Sequence, residues 1–583
     1  MSLLKKLWPW IAAALSGSLL ALCFPPFDRD GFVWIWQGPF LAALWFSDPP
    51  KAKWSRWRWG LLLGFISGFF FFIINCQWMM QTGHVAGTLW AGAAALVAFS
   101  LYLSLYFALF GAFAATIGRW VIKEPDKGKK DLFDQSIDVL RIAFLNAAAW
   151  CGLEWLRGIV FTGFGWNGLG IALKDHLLLV QFADVIGITG YGFILMFSGI
   201  IAFCTLVRLG LEVRERQRLR PHVDFAVGVA VIMGLFLYGT TRIAAVPKDS
   251  IDLRARIMQL NIPIEDKWSE DIKVRQDIIF DYRDLTRTFV ETAAHDLILW
   301  PETCIPGLFM LDWVQEYFND HVLKGDDFYL LAGLEDASLI GENGTQGGEI
   351  YNTITLMRGD TSSYQSYRKM HLVPFGEYIP YRGKFPPFEW ITGGIIEEDF
   401  TPGTSYEPLM LKKGGHEIGI IPLICFEDTV PRHTRQFIRT GPQIMVNVTN
   451  DGWFRESAEP IQHFNNAIFR CIEFRRPMIR AANTGVSAFI DSRGSIFSRK
   501  EADGFARILR DDETGSTFIR GSLPANVEVD LNPPVTIYAR IGDAFSITLG
   551  LIALVAVTAR IVITLLLRRK GPPAPLENPL RES

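Results

Sequence analysis

Three stretches of this chain end an apolar run on an ionisable side chain. "LILWPET" places Glu302 just past a run of Leu, Ile and Trp, with Pro301 closing it. "YRKMHLVPFGEYIP" presents Lys369 and, eight residues on, Glu377. "PLICFED" reaches Cys425 and turns acidic at once with Glu427 and Asp428. Strand ends of this kind commonly carry active-site residues in α/β folds. A cysteine, a carboxylate and a lysine together suit acyl transfer through a covalent intermediate. The thiolate accepts the acyl group and divides the transfer into two easier steps. A free thiol has a pKa of about 8.5, so it needs a base. Glu302 fits that role if desolvation raises its own pKa toward neutrality. Lys369 then faces the tetrahedral oxyanion, with the backbone N–H after Cys425 as a second donor. One such donor typically lowers the barrier by about 3 kcal/mol.

Each residue taken singly also has a plainer reading. Free cysteine is among the most buried residue types. Glu302 suits a strand-end carboxylate satisfied by backbone, and Lys369 a solvated cation. Glu377 either orients Lys369, shares protons with Glu302, or forms a structural ion pair. Glu427 and Asp428 either tune Lys369 or cap the next segment. His371 offers a Cys–His alternative but lacks an obvious orienting partner. Cys304 and Cys471 read as packing residues. The sequence holds no G-x-S-x-G elbow and no H-E-x-x-H helix. "GENGTQGG" (341–348) lacks the Gly-Lys-Ser/Thr of a phosphate loop and reads as a turn. The expected chemistry requires no metal and no cofactor.

The elements that must position these residues lie in 250–535, which has the charge content of a water-exposed domain. "ARIMQLN" (255–261), "DLILW" (296–300), "FYLLAG" (328–333), "EIGIIPLIC" (417–425) and "QIMVNVT" (443–449) read as buried strands. Residues 270–294 and 460–475 read as helices. The class is α/β with covered sheets.

The rest of the chain is different in kind. Of 583 residues half are hydrophobic, and long stretches before residue 245 carry almost no charge. A membrane-crossing helix needs roughly 20 apolar residues. Eight spans are expected, near 7–24, 31–47, 60–77, 88–117, 138–156, 185–207, 224–241 and 544–567. Basic clusters precede the first span and follow the second, fourth, sixth and eighth, whereas loops such as "FPPFDRDG" are poor in Lys and Arg. By the positive-inside rule both termini are cytoplasmic and 250–535 lies on the opposite side. In a bacterium that side is the periplasm. "LLALC" (19–23) reads as part of an uncleaved first helix. Seven cysteines without C-x-x-C spacing make no disulfide framework. The balance of 57 basic against 60 acidic residues gives no field that would draw nucleic acid. In "LEWLRGIVFTGFGWNGLG" (153–170), Glu154 and Arg157 read as a charge pair at a helix end, with Trp166 in an interfacial belt. The alternative is one wall of a lipid site.

"WPE", "YRK-x-HLVPFGE" and "CFE", in this order, resemble the Glu-Lys-Cys triad of the nitrilase superfamily. With the flanking spans, nearly the whole chain resembles the apolipoprotein N-acyltransferase family. "HLVPFGEYIP" (371–380), "NDGWF" (450–454), "RPMIRAANTGVSAFID" (476–491) and "QLNIP" with Trp268 carry that resemblance. It implies an αββα sandwich for the external domain. It implies Glu302, Lys369 and Cys425 as catalytic residues, supported by Glu377, Phe426 and Glu427. It also implies acyl transfer from a phospholipid to the N-terminal amine of a diacylglyceryl-cysteine on an apolipoprotein. One departure stands out: the family often has Tyr after the nucleophile, where this chain has Phe426, so any role for a phenolic hydroxyl there is absent.

The expected organisation is a seven-helix membrane domain (1–245), an external nitrilase-like domain (250–535), a last membrane helix (541–570) and a cytoplasmic tail (571–583). Trp268, Trp453, Trp166, Phe388 and Trp390 are the aromatic candidates for substrate contact. "KFPPFEWITGGII" (384–396) reads as a lid toward acyl chains, hinged at its glycine pair. The expected partners are a phospholipid donor, a diacylated apolipoprotein acceptor and the membrane. A membrane-anchored nitrilase-type amidase with the same triad is the alternative, and a catalytically silent lipid-binding scaffold is a third reading.

Overall fold

The computed structural model describes residues 2–50, 55–85, 88–122, 132–214, 222–267, 269–340, 346–384, 398–496 and 508–569. Its principal helices are α1 (Ser2–Ala21), α2 (Gln37–Phe46), α3 (Arg56–Asn75), α4 (Leu89–Ala114), α5 (Leu132–Arg157), α6 (Ala183–Arg214), α7 (Val223–Ala244), α8 (Ile272–Thr292), α9 (Glu459–Phe474) and α10 (Ala544–Arg569). Among the described residues, six are long and apolar enough to cross a membrane: α3, α4, α5, α6, α7 and α10. The count of eight expected from sequence is not reached. The expected span at 31–47 is a short 3-10 turn (Asp30–Trp34) followed by α2, which has only ten residues. At 1.5 Å per residue α2 is about 15 Å long, roughly half the hydrocarbon thickness. Its apolar side chains, Phe40, Leu41, Leu44 and Trp45, are buried by other helices rather than facing lipid. In α1 the apolar run begins after Lys5 and Lys6, leaving about 22 Å of helix up to Ala21.

Small residues let the long helices approach closely. Gly60, Gly64 and Gly68 repeat every fourth position along α3 and meet α4. A Cβ on Gly64 would stand 2.2 Å from the carbonyl oxygen of Phe107. This is the small-residue stripe that membrane helices use where lipid gives no hydrophobic drive to pair. The helix α6 is broken at Gly187 (φ 69°). There a Cβ would fall 2.4 Å from the Tyr538 ring.

The α/β part contains two mixed sheets. The first has six strands in the order β11-β1-β2-β3-β4-β5, and the second five in the order β10-β9-β8-β7-β6. The strands are β1 (Ser250–Gln259), β2 (Leu297–Trp300), β3 (Tyr329–Ile340), β4 (Gln346–Arg358), β5 (Asp360–Arg368), β6 (Leu409–Lys413), β7 (His416–Ile424), β8 (Gln443–Thr449), β9 (Met478–Ala482), β10 (Ala488–Ile490) and β11 (Gly521–Asp530). All five strands read from the sequence are present, with β1–β2–β3 and β7–β8–β9 pairing in parallel. The β2 pattern shows the layering. Leu297 and Leu299 join Ile257, Ile418 and Ile420 between the sheets. Ile298 and Trp300 face the other way, onto Ile278, Ile279 and Tyr282 of α8. Such alternation is what a strand buried on both faces requires.

The two parts meet along α9, fifteen of whose sixteen residues are buried, Ile461 alone being exposed. A helix buried on nearly every side has little solvent face to spare. At its C-terminal end, Glu473 accepts a hydrogen bond from the Ile188 N–H (2.8 Å), just past the break in α6. Arg475 bonds Asp184 (2.8 Å) and the Gln181 carbonyl oxygen (3.0 Å).

The α3–α4 contact makes a direct prediction. Gly64→Val should destabilise the membrane part by about 1–3 kcal/mol, as overpacking does. The check is the thermal midpoint of the detergent-solubilised protein. An unchanged midpoint would contradict the close approach.

Candidate active site

Glu302, Lys369 and Cys425 come from three separate connections. Glu302 lies in the turn after β2, Lys369 follows β5, and Cys425 follows β7. The structure brings them together. The Lys369 ammonium, only 1% exposed, donates to Glu377 (Nζ to Oε1, 2.8 Å) and lies 3.6 Å from Glu302 Oε1. Asn352 of β4 spans the two carboxylates, donating to Glu302 (2.7 Å) and Glu377 (3.2 Å). The second Glu377 oxygen accepts the Val373 N–H (2.8 Å). Glu377 therefore orients the lysine and bends its loop back on itself.

Charge balance follows from this packing. Burial disfavours the charge on Lys369, but Glu377 and Glu302 outweigh it and hold the ammonium above the usual lysine range. Burial pushes the Glu302 carboxyl up, against the pull of Lys369. Burial also pushes the Cys425 thiol well up, with Glu302 adding to the rise and Lys369 opposing it. The thiol is thus protonated at rest, beside a carboxylate of raised basicity.

Of the seven cysteines, Cys425 alone is not buried. Cys304 is fully buried, and that burial drives its thiol up to about 12. Cys471 is buried within α9. Cys425 has φ +50°, the left-handed region that side chains disfavour. This lifts the residue off the end of β7. Its carbonyl oxygen is held from below by Asn447 Nδ2 (3.0 Å) and His463 Nε2 (3.3 Å).

Glu427 serves as a cap and a tie. Fully buried, it accepts the Ile424 N–H (2.8 Å), which closes the start of the short turn Cys425–Thr429. It also accepts the N–H groups of Met370 (2.9 Å) and His371 (3.0 Å) and the Tyr367 hydroxyl (2.8 Å). It thereby fastens the backbone beyond Lys369 to the turn that carries Cys425. Asp428 points the other way, to His463 (2.9 Å) and Arg480 (2.6 Å).

Phe426 stands in a stack of parallel rings. Its ring lies 6.4 Å from Phe164, 6.1 Å from Trp166 and 5.8 Å from His371. Ring packing is therefore complete without a phenolic hydroxyl. Burial, with Arg432 adding, takes the His371 imidazole down to about 4, so it is neutral in this stack at neutral pH. Trp166 is a buried wall rather than an interfacial belt residue. Arg157 donates to its carbonyl oxygen (2.9 Å), and Glu154 accepts the Leu169 N–H (2.8 Å). The Glu154–Arg157 pair thus braces the aromatic loop 158–170. Trp453 lies half-buried in the turn Asp451–Phe454. Trp268, Phe388 and Trp390, and the expected lid from residue 385 on, lie outside the described residues. Phe426 also lines a pocket to which both parts of the molecule contribute, with Arg157, Arg432 and Arg470 among its walls.

Sequence reasoning missed Asn352, Lys267, Asn447, His463 and Arg480. Lys267 donates to the Glu302 carbonyl oxygen (2.9 Å) and to Thr303 Oγ1 (3.1 Å), and burial lowers its pKa to about 8. For the two asparagines the available signal was a lone amide within the apolar strands "IYNTITLM" and "IMVNVT". Asp451, Glu459 and His463 have donor atoms close enough to hold a cation. The Arg480 guanidinium already pairs with Asp451 (3.1 Å).

The cluster makes a prediction about Cys425. Lys369→Met removes the positive charge that opposes the thiol's upward shift. The pH profile for alkylation of Cys425 by iodoacetamide should move to higher pH. At a fixed mildly alkaline pH, the rate should fall about tenfold for each unit moved. An unmoved profile would separate Lys369 from the thiol.

The first part of the chain, residues 16–201, matches the family model described as apolipoprotein N-acyltransferase N-terminal domain. Residues 254–504 match the carbon-nitrogen hydrolase model. The chain is 31% identical to the apolipoprotein N-acyltransferase of Geobacter metallireducens over 92% of each protein. It is 30% identical to that of Rhodopseudomonas palustris, covering 97% of this chain and 96% of the relative. A third relative of the same description, from Brucella melitensis, is 32% identical over 83% of this chain and 86% of its own length.

Proposed function

The chain belongs to the apolipoprotein N-acyltransferase family, and from that premise we propose that it is a phospholipid-dependent acyltransferase of bacterial lipoprotein maturation. Its product is the N-acylated form of a diacylglyceryl-cysteine at a lipoprotein's N-terminus. The observation that carries the reading is Cys425. It is the one cysteine not buried, raised off a strand end, beside a lysine held between two carboxylates.

The steps follow from that arrangement. Glu302 takes the thiol proton as Cys425 Sγ bonds to the ester carbonyl carbon of a phospholipid. The oxyanion is met by the Lys369 ammonium and the N–H of Phe426. Collapse breaks the ester C–O bond, and the lysophospholipid oxygen leaves with the proton from Glu302. The result is a thioester on Cys425. In the second half the lipoprotein's α-amine attacks that thioester, Glu302 accepts the amine's proton, and Cys425 leaves as thiolate. The proton on Glu302 then returns to sulfur. Two substrates thus use one site in turn, in ping-pong order. Glu377 and Glu427 act through the lysine and the backbone rather than on the reacting atoms.

A substrate that lives in a bilayer accounts for the large membrane part, which a soluble amide would not need. The reading places the chain in the bacterial inner membrane, both termini cytoplasmic and the α/β part in the periplasm. The basic clusters of the sequence support that orientation. The proposed boundaries are 1–245 for the membrane domain, 250–535 for the catalytic domain and 541–570 for the last crossing. In this reading the chain crosses eight times, with α1 and the α2 region contributing the two crossings not counted among the six long helices. Trp453, half-buried in the turn Asp451–Phe454, is assigned to substrate contact in this reading.

The purified protein, incubated with phospholipid labelled in its acyl chain, should retain label through denaturation and lose it to hydroxylamine. Cys425→Ala should abolish the label, while Cys304→Ala and Cys471→Ala should keep it. Label on Cys425→Ala would refute the thioester. A diacylated lipopeptide should then discharge the label onto its amine. Discharge to water at the same rate with and without lipopeptide would instead mark a hydrolase.

A further inference from the structure

One buried amide joins the membrane part to the nucleophile's support. Gln462 of α9 is fully buried. Its Oε1 accepts the indole N–H groups of Trp78 (3.1 Å) and Trp166 (2.8 Å). Its Nε2 donates to the carbonyl oxygens of Pro25 (2.7 Å) and Asn75 (3.1 Å). An amide side chain has two donors and two acceptor lone pairs, so its capacity is filled. The four partners come from four places: beyond α1, the end of α3, the turn after α3, and the aromatic loop after α5.

The next residue points into the catalytic part. Successive residues on a helix are about 100° apart around its axis. His463 is therefore turned from Gln462 toward the catalytic part, while its ring still touches that of Trp166 (centroids 5.5 Å). Its Nε2 lies 2.9 Å from Asp428 Oδ1 and 3.3 Å from the Cys425 carbonyl oxygen. Gln462 also reaches the nucleophile's turn by a second route, because Trp166 stacks on Phe426, the residue after Cys425. A left-handed residue outside glycine persists only where its surroundings fix it. Here one helical turn supplies support from both sides.

We propose that Gln462 is a positioning residue for the nucleophile, through which the membrane domain sets the geometry of Cys425 as well as delivering lipid. This rests on the reading of Cys425 as the acyl acceptor. A purely structural Gln462 would affect how much protein folds. A positioning Gln462 affects the rate per folded molecule.

The test uses the full chain in lipid nanodiscs, with Gln462→Glu and Gln462→Leu. The carboxylate keeps both acceptor sites and loses both donors; leucine loses all four bonds. Two rates are measured per folded molecule: single-turnover acylation of Cys425 by labelled phospholipid, and its alkylation by iodoacetamide. Loss of buried bonds of this kind should slow acylation by about 10- to 100-fold in Gln462→Leu, with less in Gln462→Glu. The phospholipid concentration for half-saturation should move by less than about threefold, since binding is not what is lost. His463→Gln should slow acylation similarly, and the double variant should be little slower than the worse single one. Full acylation and alkylation rates in folded Gln462→Leu would overturn the proposal, as would effects that multiply in the double variant. Should Gln462→Leu not fold, Trp78→Phe removes one bond to Gln462 while keeping an aromatic ring against Phe454. It should slow acylation by about threefold or more, and an unchanged rate overturns the proposal. If the unaltered protein takes no label at Cys425, the acyl-enzyme reading fails instead. The alkylation rates then decide the positioning role by themselves.

Discussion

A buried lysine keeps its charge only while carboxylates stand against it, and this molecule is arranged around that requirement. Lys369 is almost wholly shielded from water. An ammonium taken from water without partners loses its proton rather than stay charged. Glu302 and Glu377 approach it from different connections, and Asn352 fixes the spacing of both. Three strands, β2, β4 and β5, must therefore hold register for one cation. The same charge is what a tetrahedral oxyanion would meet. Stability and chemistry make the same demand on the sheet: remove one carboxylate and the remaining charges are left partly unpaired in a dry place.

Behind the nucleophile a second charged cluster obeys the same rule with the signs reversed. Asp428 and Asp451 are buried, and Arg480 bonds to both. His463 lies between the two carboxylates. Burial and Arg480 oppose its charge, yet Asp428 and Asp451 raise its pKa to about 10. The imidazole is therefore a cation over the physiological range, with an N–H to direct at the Cys425 carbonyl. Glu459, also buried, is held well above the usual carboxylate range, first by burial and then by Asp451. The cluster is a fixed set of donors and acceptors behind the turn Cys425–Thr429, separate from Glu302, Lys369 and Glu377.

Much of this was legible in the sequence, for a physical reason. Strand-end ionisable groups after apolar runs are conspicuous, so Glu302, Lys369, Glu377 and Cys425 stand out in the primary structure alone. Five of the eleven strands were legible as buried apolar runs, and the sandwich was implied by the family resemblance. What sequence could not provide was the identity of the medium around an apolar helix. The expected span at 31–47 is divided between a 3-10 turn and the ten-residue α2, in which Phe40, Leu41, Leu44 and Trp45 are buried against protein while Phe46 is exposed. Asn352, Asn447 and Gln462 were missed for the converse reason. A single amide in an apolar or amphipathic run has no pattern, and its meaning depends on partners far away in the chain. Gln462 meets Pro25 across 437 positions.

The ring stack at Phe426 has a consequence for how such a protein comes into being. Phe164 and Trp166 are laid down with the membrane helices, His371 and Phe426 long after. The helix α9, later still, is enclosed by both parts, and α10 packs on α5 only when the chain is nearly finished. During synthesis the cysteine therefore spends its early life without its wall, its rear support or its neighbouring helices. The ring stack therefore closes only when segments made far apart in time have met, and Cys425 acquires its final surroundings late in synthesis.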